Sequence, residues 1–404
     1  MNNPTPFKGL RIVDFAWLIA GPLPGKYFGM YGAEVIRIES RKRVDGARMQ
    51  APFQGGKPGM NRSGSYANTN ANKLDIGLDM SNPKGLEIAR QLVSTADVVV
   101  ENFAPGVMKK WGLDYEGVHR LRPDAIMISL SMQGQSGPAA HGKGVGHMLQ
   151  GLVGINQLSG WPEGAPVGPA EPYTDLTVPW FAIISIIAAL EQRMKTGQGQ
   201  YIDLSQYEVG LYYVAPALLD YEVNGRIQTR TGNRVAEAAP HGVFHCQGQE
   251  RYVAIAVHTD QEWKAFCQAI GSPAWTREPR FSTFPLRKQN EDELDRLVSE
   301  WTSQRAPEQV MDTLQKAGVA AGTVARGQDL HQDPQLKARG HFWPLEHPTM
   351  GLRPYDGPAF RLSKAPARMV PAPLLGQHTE FVCKQVLGMP DGEFKQLTEA
   401  HILE

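Results

Sequence analysis

The stretch "EPYTDLTVPWFA", residues 171–182, sets one ionisable acid, Asp175, between a proline-tyrosine loop and the most apolar run of the chain. A carboxylic acid of free pKa about 3.9 is ionised at neutral pH without a general base, so it can act as a nucleophile toward an activated acyl group. The same residue, followed by Thr177 and Pro179, also suits a helix start, where a capping aspartate contributes about 1 kcal/mol. The two uses are compatible, because a helix N-terminus favours the ionised carboxylate.

Other groups that could do chemistry carry weaker signals. Gly21, Gly25 and Gly29 invite a nucleotide reading, and Glu39 ends a strand where a dinucleotide fold places its ribose-binding acid, but the GxGxxG spacing is absent. The alternative is that these glycines permit close helix–strand packing. His241 and His245 have the i, i+4 spacing of a helical metal pair, yet "HGVFHCQGQERYVAIAVH" alternates like a β-hairpin turning at Gln247-Gly248, so no metal is expected. Cys246, Cys267 and Cys383 are odd in number and far apart, which argues against a disulfide framework or zinc knuckle.

The elements that must position Asp175 read as follows. "LRIVDFA", "PLPGKYFGMYG" and "AEVIRIES" form a strand-helix-strand unit. The alternation continues with a helix capped near Ser81 or Asn82, the apolar strand "DVVVENF", a helix through Lys109 and the strand "DAIMISLSMQG". This predicts a doubly wound, Rossmann-like large domain with a parallel sheet. From Asp175 a helix runs to about Lys195, then come the strand "QYIDLS" and the helix "YEVGLYYVAPALLDYEV". The expected organisation is residues 1–204 as the first part of the large domain, 205–240 as a linker helix and crossing, and 241–325 as a smaller α+β domain. Residues 326–404 make the return crossing and complete the large domain. After Pro334 the chain reads as proline-rich and extended, ending in a helix near "TEFVCKQVLG".

With 404 residues, and 41 basic against 41 acidic side chains, no bulk charge favours nucleic acid or an anionic membrane surface. The longest apolar stretch, 178–190, is shorter than the roughly 20 residues a bilayer requires and reads as a buried helix. The start of the sequence lacks the pattern of a signal peptide, so a cytoplasmic protein is expected.

"GLRIVDFAWLIAGP", "YGAEVIRIES", "ENFAPGVMKKWGLDYE", "MKTGQGQYIDLSQYE" and "APLLGQHTEFVCKQVLGMPDGEF" together resemble the class III coenzyme A transferases, in order from about Lys8 to the end of the sequence. The resemblance implies that Asp175 is the nucleophile, forming a mixed anhydride with the acyl group and then an aspartyl-CoA thioester. Because one thioester is exchanged for another, neither ATP nor metal is required. It further implies that coenzyme A, carried as acyl-CoA, lies against Ile19 and Ala20, Ser40 with Arg41 adjacent, and Leu78, Asp79, Met80 and Ser81. Asn102, Phe103, Ala104, Lys110 and Lys143 complete that set. The expected assembly is an interlocked homodimer, its large domain built from both ends of the sequence and its small one from the middle. The expected substrates are an acyl-CoA donor and a carboxylic acid acceptor.

Two departures from the family pattern stand out. Ser40 occupies a position that is often basic, so Arg41 or Arg43 is expected to substitute. Val145 and Gly146 replace the tyrosine-glutamate pair of the oxalate-type enzymes, implying a larger, less polar acceptor pocket. The related α-methylacyl-CoA racemases place a catalytic histidine where Val145 stands, and His147 lies two residues on. Racemisation therefore remains an alternative, as does noncatalytic binding of CoA esters. The bland role for His147 is a helix-start histidine satisfied by backbone.

Overall fold

The computed structural model describes residues 5–404. Two compact units emerge: one holds the chain through Ile155, Pro169–Arg226 and Gln335–Glu404, and the other holds Asn156–Gly168 and Ile227–Pro334.

In the first unit, strands β1 (Arg11–Asp14), β2 (Glu34–Glu39), β3 (Leu74–Gly77), β4 (Val98–Glu101), β5 (Ile126–Ser131) and β6 (Tyr201–Ser205) form one sheet. Its order is β3-β2-β1-β4-β5-β6, and every pairing is parallel. The order reverses between β1 and β4, and in such sheets ligands bind at the carboxyl ends of the strands beside that reversal. Strand β4 (VVVE) and most of β5 (IMISLS) are apolar because both of their faces are covered. Val13, Ile36, Val99 and Met127 enter one core, while Ile12, Val35, Val98 and Ile126 enter the other. Helix Pro83–Ser94 packs in the first core, and Asn82 caps it by accepting the Lys84 N–H.

The second core is closed by helices Pro22–Met30 and Tyr173–Thr196. Val178, Ala182, Ile186 and Ala189 recur at helical spacing and form the buried stripe of the longer helix. This 24-residue helix exceeds the apolar run read from the sequence and is long and apolar enough, by length and composition, to cross a membrane. It is also less buried than expected, since Trp180, Ile184, Ile187 and Met194 are exposed. Helix Gln206–Asn224 packs beside it, and Tyr212, Leu219 and Val223 are exposed there too.

The second unit contains a three-stranded antiparallel sheet of β7 (His241–His245), β8 (Tyr252–Ala256) and β9 (Ala320–Thr323). Helices Asp260–Ala269, Glu291–Thr302 and Pro307–Lys316 supply Phe266, Leu294, Val298, Val310 and Leu314 to its core. Residues 156–168 cluster with this unit, an association that the sequence did not signal.

The return segment is more ordered than its prolines suggest. Strands β10 (Phe342–His347) and β11 (Gly351–Asp356) pair as a hairpin, because His347 Nδ1 accepts the N–H groups of Thr349 and Met350 and Gly351 takes φ +68°. The "TEFVCKQVLG" segment is helical as expected, from Thr379–Phe381 into a π-helical turn Val382–Val386, and a further helix, Asp391–Glu399, follows it.

Candidate active site

Asp175 lies in the first turn of helix Tyr173–Thr196. Pro179 has no N–H to offer the Asp175 carbonyl four residues back, so the helical ladder is interrupted at the acid itself. The carboxylate is half-buried. A Cβ built at Gly146 would lie 2.6 Å from Asp175 Oδ1 and 2.7 Å from Oδ2, so only glycine leaves the acid its present place. Gln206 Nε2 donates to Asp175 Oδ1. Burial raises the Asp175 pKa above the ordinary aspartate value, and the Gln206 bond and the nearby His147 oppose that rise.

Helix Gly146–Leu152 fixes the approach to this acid. His147 Nε2 donates to the Ala170 carbonyl at 2.9 Å, and Gln150 Nε2 donates to the Glu171 carbonyl at 2.7 Å. One turn of helix thus pins the two residues that lead into Pro172 and the acid's helix. His147 is satisfied by backbone, while Val145 is exposed beside it.

Sequence reading missed Gln206. The Ser205-x-x-Glu208 spacing does mark a helix start, and Ser205 Oγ accepts the Glu208 N–H. That pattern puts Gln206 at the head of a helix directly after β6, at the carboxyl edge of the sheet, but it carries no hint of a partner 31 residues away.

A cavity of about 380 Å³ opens at the carboxyl ends of β1 to β4. Phe15, Trp17, Phe103 and Trp111 wall it, with Phe103 edge-on to both tryptophans at 5.6 and 5.5 Å between ring centres. Ser40, Lys42, Arg43, Asp79, Met80, Ser81 and Ala104 also line it. Arg43 lies 5.2 Å from the Trp17 ring centre, and Lys42 pairs with Asp79 at 2.7 Å. Asn102 stitches the loops after β1 and β4 by accepting the Trp17 N–H and donating to the Trp17 carbonyl.

Several expected coenzyme contacts fall outside this lining. Leu78 is fully buried and bridges to Leu403, and Ala20 packs in the core. Ile19 lies in the loop after β1. The Arg41 main-chain N–H donates to the Glu404 side chain, while Lys110 and Lys143 are exposed and not part of the cavity lining. The glycines serve packing: a Cβ at Gly21 would meet Asn102 Cγ at 2.8 Å, and one at Gly25 would meet Val35 Cγ1 at 3.2 Å.

Glu39 lines the cavity but is held from behind. Arg37 and Arg48 both pair with it, and Tyr66 donates to it at 2.8 Å. Burial would raise its pKa, but Arg37, a hydrogen bond with Asp75 and Arg48 hold it well below the usual range. Asp75 goes the other way, pushed well up by burial and by Glu39. Arg37, Arg48 and Lys73 face Asp14, Glu39, Asp45 and Asp75, three basic groups among four acids. Glu39 is thereby committed to this network rather than free to bind a ribose. Among the described residues no cluster of three or more histidine, cysteine or acidic side chains could hold a metal.

The parallel sheet with this strand order makes a doubly wound fold, with an acid at a helix start and an aromatic cavity over the strand reversal. Comparison with known proteins gives the family: residues 7–379 match CoA-transferase family III, and the chain belongs to it. It is 33% identical to a probable CoA-transferase of Mycobacterium tuberculosis over 98% of its own length, but spans half of that protein. Human succinyl-CoA:glutarate CoA-transferase is 30% identical over all of this chain and 91% of its own. The crystal structure of a CAIB/BAIF family protein from Brucella suis superposes with a TM-score of 0.87 at 30% identity, covering 95% of this chain and 100% of that one.

Proposed function

We propose that this protein moves coenzyme A from an acyl-CoA donor to a free carboxylic acid through covalent chemistry on Asp175. The observation that carries this reading is the half-buried carboxylate set against Gly146 and aligned by Gln206. The carboxylate attacks the thioester carbonyl and expels the CoA thiolate, leaving a mixed anhydride. The thiolate attacks the aspartyl carbonyl and releases the donor's acid, leaving an aspartyl-CoA thioester. The acceptor carboxylate attacks that thioester to form a new anhydride and frees the thiolate again. Attack of the thiolate on the acceptor's acyl carbon then gives product and restores Asp175.

The aromatic cavity suits the nucleotide: its rings can pack on adenine, and Lys42 and Arg43 supply cations for phosphate. Because the human relative is named for succinyl-CoA and glutarate, succinyl-CoA is the donor to test first and a dicarboxylic acid the first acceptor. Racemisation is disfavoured, because His147 already spends Nε2 on the Ala170 carbonyl. Incubation with acyl-CoA followed by hydroxylamine should convert residue 175 to a hydroxamate. Asp175→Asn and Asp175→Ala should lower acyl exchange by at least about 10³-fold while CoA binding survives. Label on another carboxylate, or near-normal exchange in either variant, would remove the assignment.

The exposed apolar faces of helices Tyr173–Thr196 and Gln206–Asn224 support a homodimer, interlocked as in the family. Dilution should then leave no folded monomer in sedimentation velocity, and a reversible monomer–dimer equilibrium would count against interlocking.

A further inference from the structure

Glu101, the last residue of β4, is only 3% exposed. Its Oε2 accepts the Phe103 N–H at 2.8 Å, and Phe103 and Ala104 form part of the aromatic wall. Behind that wall lies a second cavity of about 150 Å³, which shares Ala104 with the first and is lined by Glu101, Ser129 and Tyr201. The loop after β4 therefore separates two cavities and is tethered from the rear by a carboxylate.

Strand register builds the tether. Glu101 pairs with Ser129 on β5, and Ser129 pairs with Asp203 on β6. Ser129 and Tyr201 line the same small cavity as Glu101, and Tyr201 is 38% exposed, so a row of polar side chains leads from the buried carboxylate toward solvent. The titratable groups around it are Asp203 and Tyr201 from β6, Lys109 from helix Val107–Trp111, and Asp114 and Tyr115 from the following turn. Burial, with a smaller push from Asp203, lifts the Glu101 carboxyl to about 7 against the bonds from Ser129 and Phe103.

We propose that Glu101 is a positioning residue for acyl-CoA: its carboxylate holds the wall on which the nucleotide packs, and protonation of that carboxylate loosens the wall. The proposal rests on the reading of the aromatic cavity as the CoA site. A hydrogen bond to an ionised acceptor is about twice as strong as one to a neutral acceptor. The ionised form prevails above its raised pKa, so the tether is firm on the alkaline side and weakens as pH falls through about 7.

Calorimetric titration with CoA itself tests this without requiring turnover. For the wild type the Kd at about pH 6 should be roughly three- to tenfold that at about pH 8, the weakening expected when a charged hydrogen bond becomes neutral. Glu101→Gln keeps the shape and an accepting oxygen but has no proton to gain. It should show only the smaller pH change due to the ligand's own phosphate. Ser129→Ala removes a bond that stabilises the carboxylate, so the inflection should move to higher pH. Equal pH ratios in wild type and Glu101→Gln, or an unmoved inflection in Ser129→Ala, would overturn the role of Glu101. Absence of CoA binding by the wild type at either pH would instead overturn the cavity's assignment, and this proposal with it.

Discussion

Two corners of the same sheet edge are built in opposite ways. Over β1 to β4 the cavity rests on buried ion pairs: Arg37 and Arg48 are fully buried, Arg48 Nη2 donates to Glu39 at 2.7 Å, and its guanidinium lies 3.6 Å from the Tyr66 ring centre. Beyond β6, Asp175 is held by one amide and a glycine, among exposed apolar side chains. The first corner is tied together beneath the cavity by ion pairs. The second leaves its carboxylate with few fixed partners, beside apolar side chains that stay exposed.

The contrast breaks most readily at its ion-paired side. Arg48→Met would leave Glu39 and Asp75 without their shared cation, and removing one partner of a buried ion pair costs about 3–5 kcal/mol. Urea denaturation should show a loss of that size, together with weaker CoA binding, because Glu39 lines the cavity. A change below about 1 kcal/mol would mean that the network does not support the cavity.

Gly146→Ala attacks the open side with the opposite signature. Gly146 heads a helix with ordinary backbone angles, so stability should change little, but the new methyl would displace the carboxylate. A misplacement of about 1 Å can cost on the order of 10²-fold in rate, so kcat should fall by roughly ten- to a hundredfold with KM for acyl-CoA nearly unchanged. If KM rises and kcat holds, Gly146 lines the binding path rather than the reacting centre.

The sequence exposes these corners unequally, for physical reasons. The parallel sheet was legible because strands buried on both faces are continuous apolar runs, as in "DVVVENF", and because helices alternate with them. Asp175 was legible from the apolar helix it heads. Arg37 was not: it sits in "EVIRIES", where a polar residue between isoleucines reads as a solvent-facing strand position. Its burial depends on Asp45 and Asp14, which reach it from separate loops and strands. Lys42 was overlooked between Arg41 and Arg43 because one charge among three has no local signature, yet it joins Arg43 in the cavity lining, which does not include Arg41. The exposed faces of the two long helices were unreadable for a different reason: apolarity predicts burial but does not say against what.

The smallest expected effect concerns the amide that holds Asp175. Burial raises the acid's pKa, and the Gln206 bond opposes that rise more strongly than His147 does. Without that bond the carboxylate should protonate more readily, and a protonated Asp175 is not a nucleophile. Gln206→Ala should therefore move the acid limb of the kcat/KM profile to higher pH. Activity at about pH 5.5 should drop by roughly three- to tenfold while activity at about pH 8 falls by less than about threefold, as for loss of one hydrogen bond to a charged group. A uniform loss across the profile would show that Gln206 orients Asp175 without tuning its charge. An acid limb displaced to lower pH would contradict the electrostatic account of this corner, since it would require the amide to favour the neutral acid.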